Sequence, residues 1–402
     1  MPTSLANTNL FKSIKVGDYE LQNRVVHAPT TRVRVSEDFV PLDSMLKYYE
    51  ERAENECGLL ITESVMVSPR WGIMGCWPMI STDSQLKAWG KIVQAVHNKK
   101  SRISCQLFGV GRAAVPELLK QKGLQFVGAS AIYQDEESQN IAEKLGIPLR
   151  ALTVSEIHQV TKDFVVAAKN CILVDKFDYV EIHAANMYLL NQFIDEESNH
   201  RTDQYGGSIE NRSRLVLEVI DAVMEAIGPQ HTAIRLSPYS RFQGSKGIDS
   251  KTDPIATYGY ILSELERRAK HGKRLAYVSF VEPNIFGAEA IEEAYVPDSS
   301  WVNEIWKGII IRTGNLIHDE KYKLLKKYVD GDDRTLIGAS RYYSSNPDLA
   351  TRLKNGYALT KYDRSSFYKL MSNQGYLTWG NYGEDNHKYA SEISRTIPKP
   401  LA

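Results

Sequence analysis

Paired cysteine motifs, net charge and long apolar runs are all missing from this chain of 402 residues. Its four cysteines are Cys57, Cys76, Cys105 and Cys171, with no CxxC among them. That spacing fits neither a structural zinc site nor an iron–sulfur cluster, so no metal is expected. Lysine plus arginine and aspartate plus glutamate are equal at 49 each. No basic field is left to attract nucleic acid or an anionic membrane. No apolar segment approaches the ~18 uninterrupted residues of a membrane helix. Met1 to Asn7 carries no leader pattern, and Lys399-Pro400-Leu401-Ala402 matches no prenylation or peroxisomal signal. The expectation is a cytoplasmic protein with reduced, mostly buried thiols. A GxGxxG placed between a strand and a helix is also absent, which argues against a separate dinucleotide-binding domain.

What is present is alternation. Hydrophobic residues at 43% and charged residues at 24% are globular values. Apolar, β-branched runs occur at Val25–Ala28, Leu59–Thr62, Ile103–Leu107, Tyr179–Ile182, Ala233–Leu236, Leu275–Val278, Gly308–Ile311 and Thr335–Gly338. Near-continuous apolar strands imply a parallel sheet covered on both sides. Between them lie helical patterns. Thr82 to Gln85 and Thr153 to Glu156 read as capping boxes, and a helix starting near Asn211 ends at Ile227 before Gly228-Pro229. Eight strands alternating with helices predict an α/β fold of the (β/α)₈ TIM-barrel type, which needs ~250 residues.

The excess length has places to go. Phe11 to Leu21, centred on Gly17-Asp18, predicts an N-terminal β-hairpin that plugs the bottom of the barrel. Residues 109–152 form an insertion after strand three, and 237–256 and 281–304 are long loops after strands five and six. Such elaborated loops on the C-terminal face build active sites in this architecture. One domain over residues 1–402 is expected, with 375–402 as a C-terminal tail.

Chemistry-bearing residues fall at the strand ends. Thr31 follows strand one, Gln106 lies late in strand three, His183 closes strand four and Arg235 lies in strand five. Gly314-Asn315 follows strand seven and Ser340-Arg341 follows strand eight, where barrels commonly bind phosphate. His183, Asn186 and Tyr188 supply two hydrogen-bond donors and a phenol that stays protonated at pH 7, since its ordinary pKa is about 10. Two donors for a carbonyl oxygen beside a proton source suit reduction of an activated alkene. His183 and Asn186 share a side at helical spacing, but Tyr188 joins them only if the segment is irregular.

Taken together, these residues resemble the old yellow enzyme family of FMN-dependent ene-reductases, particularly its fungal branch. The matching segments run from about Leu10 to Tyr389. They include Ala28 to Arg32, Ile61 to Glu63, His183 to Phe193, Tyr205 to Arg212, Arg235 to Tyr239, Ser345 to Leu349 and Lys361 to Arg364. The resemblance implies an NADPH dehydrogenase that binds FMN non-covalently and takes hydride from NADPH or NADH. It would then reduce the C=C bond of enones or nitroalkenes by a ping-pong mechanism, and would bind phenolic ligands. Pro29, Thr31, Ser64, Gln106 and Arg235 would contact the flavin, and Gly314, Asn315, Ser340 and Arg341 its phosphate side. His183 and Asn186 would hold the substrate oxygen, Tyr188 would deliver the proton, and Phe242, Phe286 and Tyr368 would line the substrate pocket. Monomer and homodimer are both compatible with it.

Three positions depart from the family pattern. Met187 and Ser340 stand where glycine is common, and Ser64, Trp71 to Met74 and Trp77 replace a tyrosine-bearing pocket loop. Each site residue also has a plainer reading: Arg235 in a buried salt bridge, Gln106 satisfying barrel backbone, and the aromatics as core. Arg201, Asp203 and Tyr205-Gly206-Gly207 are read as loop structure, not chemistry. A ligand-sensing flavoprotein and a sugar-phosphate barrel without flavin stand as alternatives.

Overall fold

A computed structural model describes residues 2–283, 285–286, 289–290, 297–384 and 393–402. Eight parallel strands close on themselves: Val25–His27, Leu59–Ile61, Arg102–Phe108, Tyr179–Ala184, Thr232–Leu236, Tyr277–Val281, Ile310–Thr313 and Thr335–Ala339. Closure runs through Ile337 opposite Val25 at one seam and Leu59 opposite Arg102 at another. All eight expected strands exist. Strands six and seven sit about two residues later than expected, because buried Ser279, Arg312 and Thr313 continue the ladder beyond the apolar runs.

The helices obey their caps. Thr82 and Thr153 each complete a capping box, opening Asp83–Asn98 and Val154–Lys169. The helix expected from Asn211 begins earlier, at Ile209, because Ser208 is its cap and accepts from the Asn211 N–H. It ends at Ile227 as expected.

The hairpin is the bottom plug. Ile14–Val16 pairs antiparallel with Tyr19–Leu21 around a two-residue turn. Gly17 takes φ +52° there, and a Cβ on it would lie 2.2 Å from the Gln230 carbonyl oxygen. Ile14, Val16 and Leu21 pack against Leu59, Ile61, Ala233 and Leu336 inside the barrel. Tyr179 donates its hydroxyl proton to the Val16 carbonyl at 2.8 Å. The insertion at 109–152 is folded, with helices Pro116–Lys122 and Glu136–Leu145 each ended by a left-handed glycine. Its apolar residues join the cluster that contains Tyr188. The lower half of the barrel is therefore dry and closed, and only the upper mouth is available for chemistry.

Truncating the plug tests this division. Leu21, 1% exposed, makes no contact with the upper mouth. Leu21→Ala is expected to destabilise the protein by ~2–5 kcal/mol in urea unfolding, as large-to-small core changes do. A loss under ~0.5 kcal/mol, the size of a surface substitution, would show that the hairpin is ornamental.

Candidate active site

The upper strand ends open into a cavity of about 940 Å³. Every expected site residue lines it except Phe286, whose side chain lies outside the described residues. Residues scattered between Pro29 and Tyr368 thus meet in one place.

The floor is a polar layer resting on the dry plug. Ser64 donates to the Gln106 carbonyl at 2.6 Å, and the Gln106 amide donates to Glu181 at 2.6 Å. Arg235 is buried, and the only hydrogen bond of its guanidinium among the described residues is from Nη1 to Ser279 Oγ at 3.4 Å. The salt-bridge reading of Arg235 fails. Glu181 influences it electrostatically but does not pair with it directly. A guanidinium with most of its donors open toward a cavity is costly unless a ligand meets them.

The far end is basic. Gly314 has φ +138° and Asn315 φ +51°, an unusual backbone pair after strand seven. Arg341 donates to the Tyr362 hydroxyl at 3.1 Å and to Asn315 Oδ1 at 3.3 Å. Thr30 and Ser340 hydroxyls pair at 2.8 Å. Ser340 replaces glycine here without closing the cavity, which it still lines. Exposed Arg364, outside the cavity lining, also lies near Tyr362, its guanidinium carbon 5.7 Å from the ring centre against 5.3 Å for Arg341.

Opposite the floor, strand four runs out through His183 into an irregular turn. Asn186 and Met187 both take left-handed conformations, φ +54° and +60°. Asn tolerates this region well, whereas a side chain such as Met costs roughly 1–2 kcal/mol there. Asn191 Oδ1 accepts from the Met187 N–H and Gln192 Nε2 donates to the Met187 carbonyl, both at 2.8 Å. The turn therefore survives without glycine. It brings the Tyr188 ring to 5.2 Å from His183, edge to face, and leaves Asn186 on the same cavity.

Electrostatics set the protonation states. Burial, aided by Arg235, holds the His183 pKa well below its usual value, so the imidazole is neutral at pH 7. Its Nδ1 is buried without a partner. Burial pushes the Tyr188 phenol up, and Gln243 acts in the opposite sense through a side-chain hydrogen bond. Gln243 was not anticipated, since an amide in a long loop carries no sequence signal. Phe242 and Tyr368 line the cavity while remaining 38% and 57% exposed, so both belong to its rim and not to the core. Arg201 grips Asp203 and the carbonyls of Ala129 and Leu152, a structural role as expected.

A sequence profile of the NADH:flavin oxidoreductase / NADH oxidase family matches residues 9–360. The "Probable NADPH dehydrogenase" of Candida albicans is 42% identical over 405 residues, spanning 100% of this chain and 95% of that protein. Enoate reductase 1 of Kluyveromyces lactis is 42% identical over 391 residues, 95% of this chain and 96% of its own. The crystal structure of Old Yellow Enzyme from a Pichia species superposes with a TM-score of 0.94 at 56% identity, covering 99% and 100% of the two chains. These relatives indicate FMN, and the residues present fit it. An open buried guanidinium and amide suit a heterocycle that gains negative charge, and Arg341 at the far end suits a phosphate.

Arg341→Ala is expected to release FMN on dialysis. Charge-assisted hydrogen bonds contribute ~1.5–3 kcal/mol each, so affinity should fall at least about tenfold. Absorbance of the dialysed protein reads the result, and full retention would overturn a phosphate role for Arg341.

Proposed function

The chain belongs to the NADH:flavin oxidoreductase / NADH oxidase family and is an FMN-dependent oxidoreductase of old yellow enzyme type, and we propose that it reduces activated alkenes by a ping-pong cycle. The substrates are α,β-unsaturated carbonyl compounds and nitroalkenes, with NADPH or NADH as donor. Bound FMN would supply the hydride-relay chemistry between nicotinamide and alkene. Gln106, Ser64 and Arg235 would hold its pyrimidine side, Pro29 and Thr31 would flank it, and Gly314, Asn315, Ser340 and Arg341 would hold its phosphate.

The protein's own contribution begins with His183 and Asn186. Neutral His183 donates one N–H to the substrate oxygen, and the Asn186 amide donates a second. Both strengthen as that oxygen gains charge, which polarises the alkene toward hydride at its far carbon. Tyr188 carries its proton at pH 7 because burial disfavours the phenolate. It releases that proton to the α-carbon. Gln243 then faces the phenolate oxygen with an amide, and solvent restores the proton. Phe242 and Tyr368 shape the rim, and Phe286 is assigned to it by position. Nicotinamide and alkene use the same oxygen-binding pair in turn, which makes the cycle ping-pong.

The observation that carries this reading is the double left-handed turn at Asn186-Met187, which leaves an amide and a protonated phenol lining the same cavity as the neutral imidazole at the end of strand four. The whole chain works as one domain, with 109–152 as an insertion and 375–402 as a tail. We place it in the cytoplasm as a monomer or homodimer. Among the described residues no helix is long and apolar enough to cross a membrane.

Two experiments test the roles. Phenolic ligands should bind as phenolates over the oxidised cofactor and give a long-wavelength band. His183→Ala with Asn186→Ala should abolish the band while FMN stays bound, and persistence of the band places the oxygen elsewhere. Tyr188→Phe should slow alkene reduction by ~10²–10⁴-fold, the usual contribution of a positioned acid. Its stopped-flow reduction by NADPH should change little, because that half-reaction takes no proton from the protein. Equal slowing of both halves would reduce Tyr188 to a packing residue. Hydride transfer to a nitroalkene should survive the substitution, since a nitronate can be protonated in solution.

A further inference from the structure

Below the substrate-binding side chains, the barrel interior holds one carboxylate that the proposed reaction does not use. Glu181 lies on strand four, two residues before His183, so both side chains point inward. It is fully buried. Gln106 sits directly opposite it across the ladder and donates its amide to Oε1 at 2.6 Å. Tyr277, which is hydrogen-bonded to Ser104 at 2.8 Å, also turns its hydroxyl to this carboxylate. Oε2 has no partner.

These contacts fix two things. A carboxylate only accepts, so the Gln106 NH₂ must face Glu181 and its carbonyl must face Ser64, where the hydroxyl donates at 2.6 Å. The amide cannot flip, and its second N–H remains for the cavity. The Gln106 N–H and the nearby Arg235 charge favour the ionised acid, since both stabilise a negative oxygen. Burial raises the Glu181 pKa, while Arg235 and the Gln106 hydrogen bond oppose it. When ionised, Glu181 sets a negative charge near Arg235, the cation that lines the cavity.

We propose that Glu181 is a positioning and redox-tuning residue: it locks the Gln106 amide toward FMN and offsets the Arg235 charge, holding the two-electron potential of the cofactor down. The inference rests on the reading above that Gln106 and Arg235 meet the pyrimidine side of FMN. Reduction adds negative charge on that side, which Arg235 favours and Glu181 opposes. A lower potential makes hydride delivery to an alkene more favourable.

Two readouts test this without turnover: the midpoint potential of the holoprotein by dye equilibration, and FMN affinity by titration of deflavinated protein. Glu181→Gln removes the charge and keeps the shape. It should raise the ratio of reduced to oxidised FMN affinity at least tenfold, which is about 30 mV for a two-electron couple. Glu181→Asp keeps the charge but cannot reach Gln106. It should change that affinity ratio from the parent value by no more than about threefold while weakening oxidised FMN binding at least tenfold, and it carries the test of positioning if Glu181→Gln does not fold. An unchanged potential in Glu181→Gln, or equal shifts in both variants, would refute the tuning role. Arg235→Met separates the premise, since it should lower the potential. If Arg235→Met leaves both potential and affinity unchanged, the pyrimidine side lies elsewhere and this inference falls with it. If Arg235→Met shifts the potential and Glu181→Gln does not, only the role of Glu181 is lost.

Discussion

A buried guanidinium with too few partners organises this molecule. Arg235 stands inside the barrel, bonded only to Ser279 among the described residues. Leaving such a charge unmet would cost several kcal/mol, so the surroundings are arranged around it. Glu181 supplies a field without a direct pair, and Gln106 and Ser64 extend that polarity toward the strand-two side. The same charge helps hold His183 neutral one strand away, where Arg235 and His183 are ladder partners. A neutral histidine still carries one N–H that it can donate to an oxygen. One cation thus acts on both Glu181 and His183, and on the proposed roles it serves both the cofactor side and the substrate side of the cavity.

The second constraint is backbone. Strand four must end so that its next three polar side chains face back over the barrel, which a continuing helix cannot do. Two consecutive left-handed residues make that reversal. Asn186 is suited to it, but Met187 is not, and glycine would remove the strain. Met187 is fully buried, and the amides of Asn191 and Gln192 hold both its N–H and its carbonyl. Buried apolar area and two hydrogen bonds offset a conformational cost of roughly 1–2 kcal/mol. The alternative in which Met187 spoils the site has no geometric support, because Tyr188 still reaches the cavity.

The barrel was legible in the sequence because parallel strands covered on both faces are apolar almost throughout, and caps mark where helices begin. The hairpin was legible for a similar reason, since Gly17-Asp18 between alternating residues suits a two-residue turn. Polar strand residues blurred the edges of strands six and seven. Within the site, strand-end residues could be read because a barrel converges its C-terminal ends. A loop residue could not: Gln243 is brought in by a chain path that no local pattern encodes. Glu181 was hidden inside an apolar run, where a lone acid reads as an interruption.

The outer wall shows the same limit most clearly. Arg32 and Arg34 follow strand one, and nothing in the local pattern says what meets two charges so close together. Both are fully buried. Arg32 donates to the carbonyls of Phe367 and Gly375 at 3.2 and 2.6 Å. Arg34 donates to those of Ser366, Phe367 and Ser372 at 3.0, 2.6 and 3.0 Å. Their guanidiniums lie 5.1 and 4.8 Å from the Tyr376 ring centre. Carbonyl dipoles and an aromatic face replace water for two cations that share only Glu63 nearby, a carboxyl that burial pushes up to about 7. Thr31 precedes this clamp and Tyr368 follows its first anchor, and both line the cavity. Cofactor-side and rim residues more than three hundred positions apart are therefore tied through one pair of arginines. A displacement of the tail would move the cavity rim and strain the strand-one loop at once.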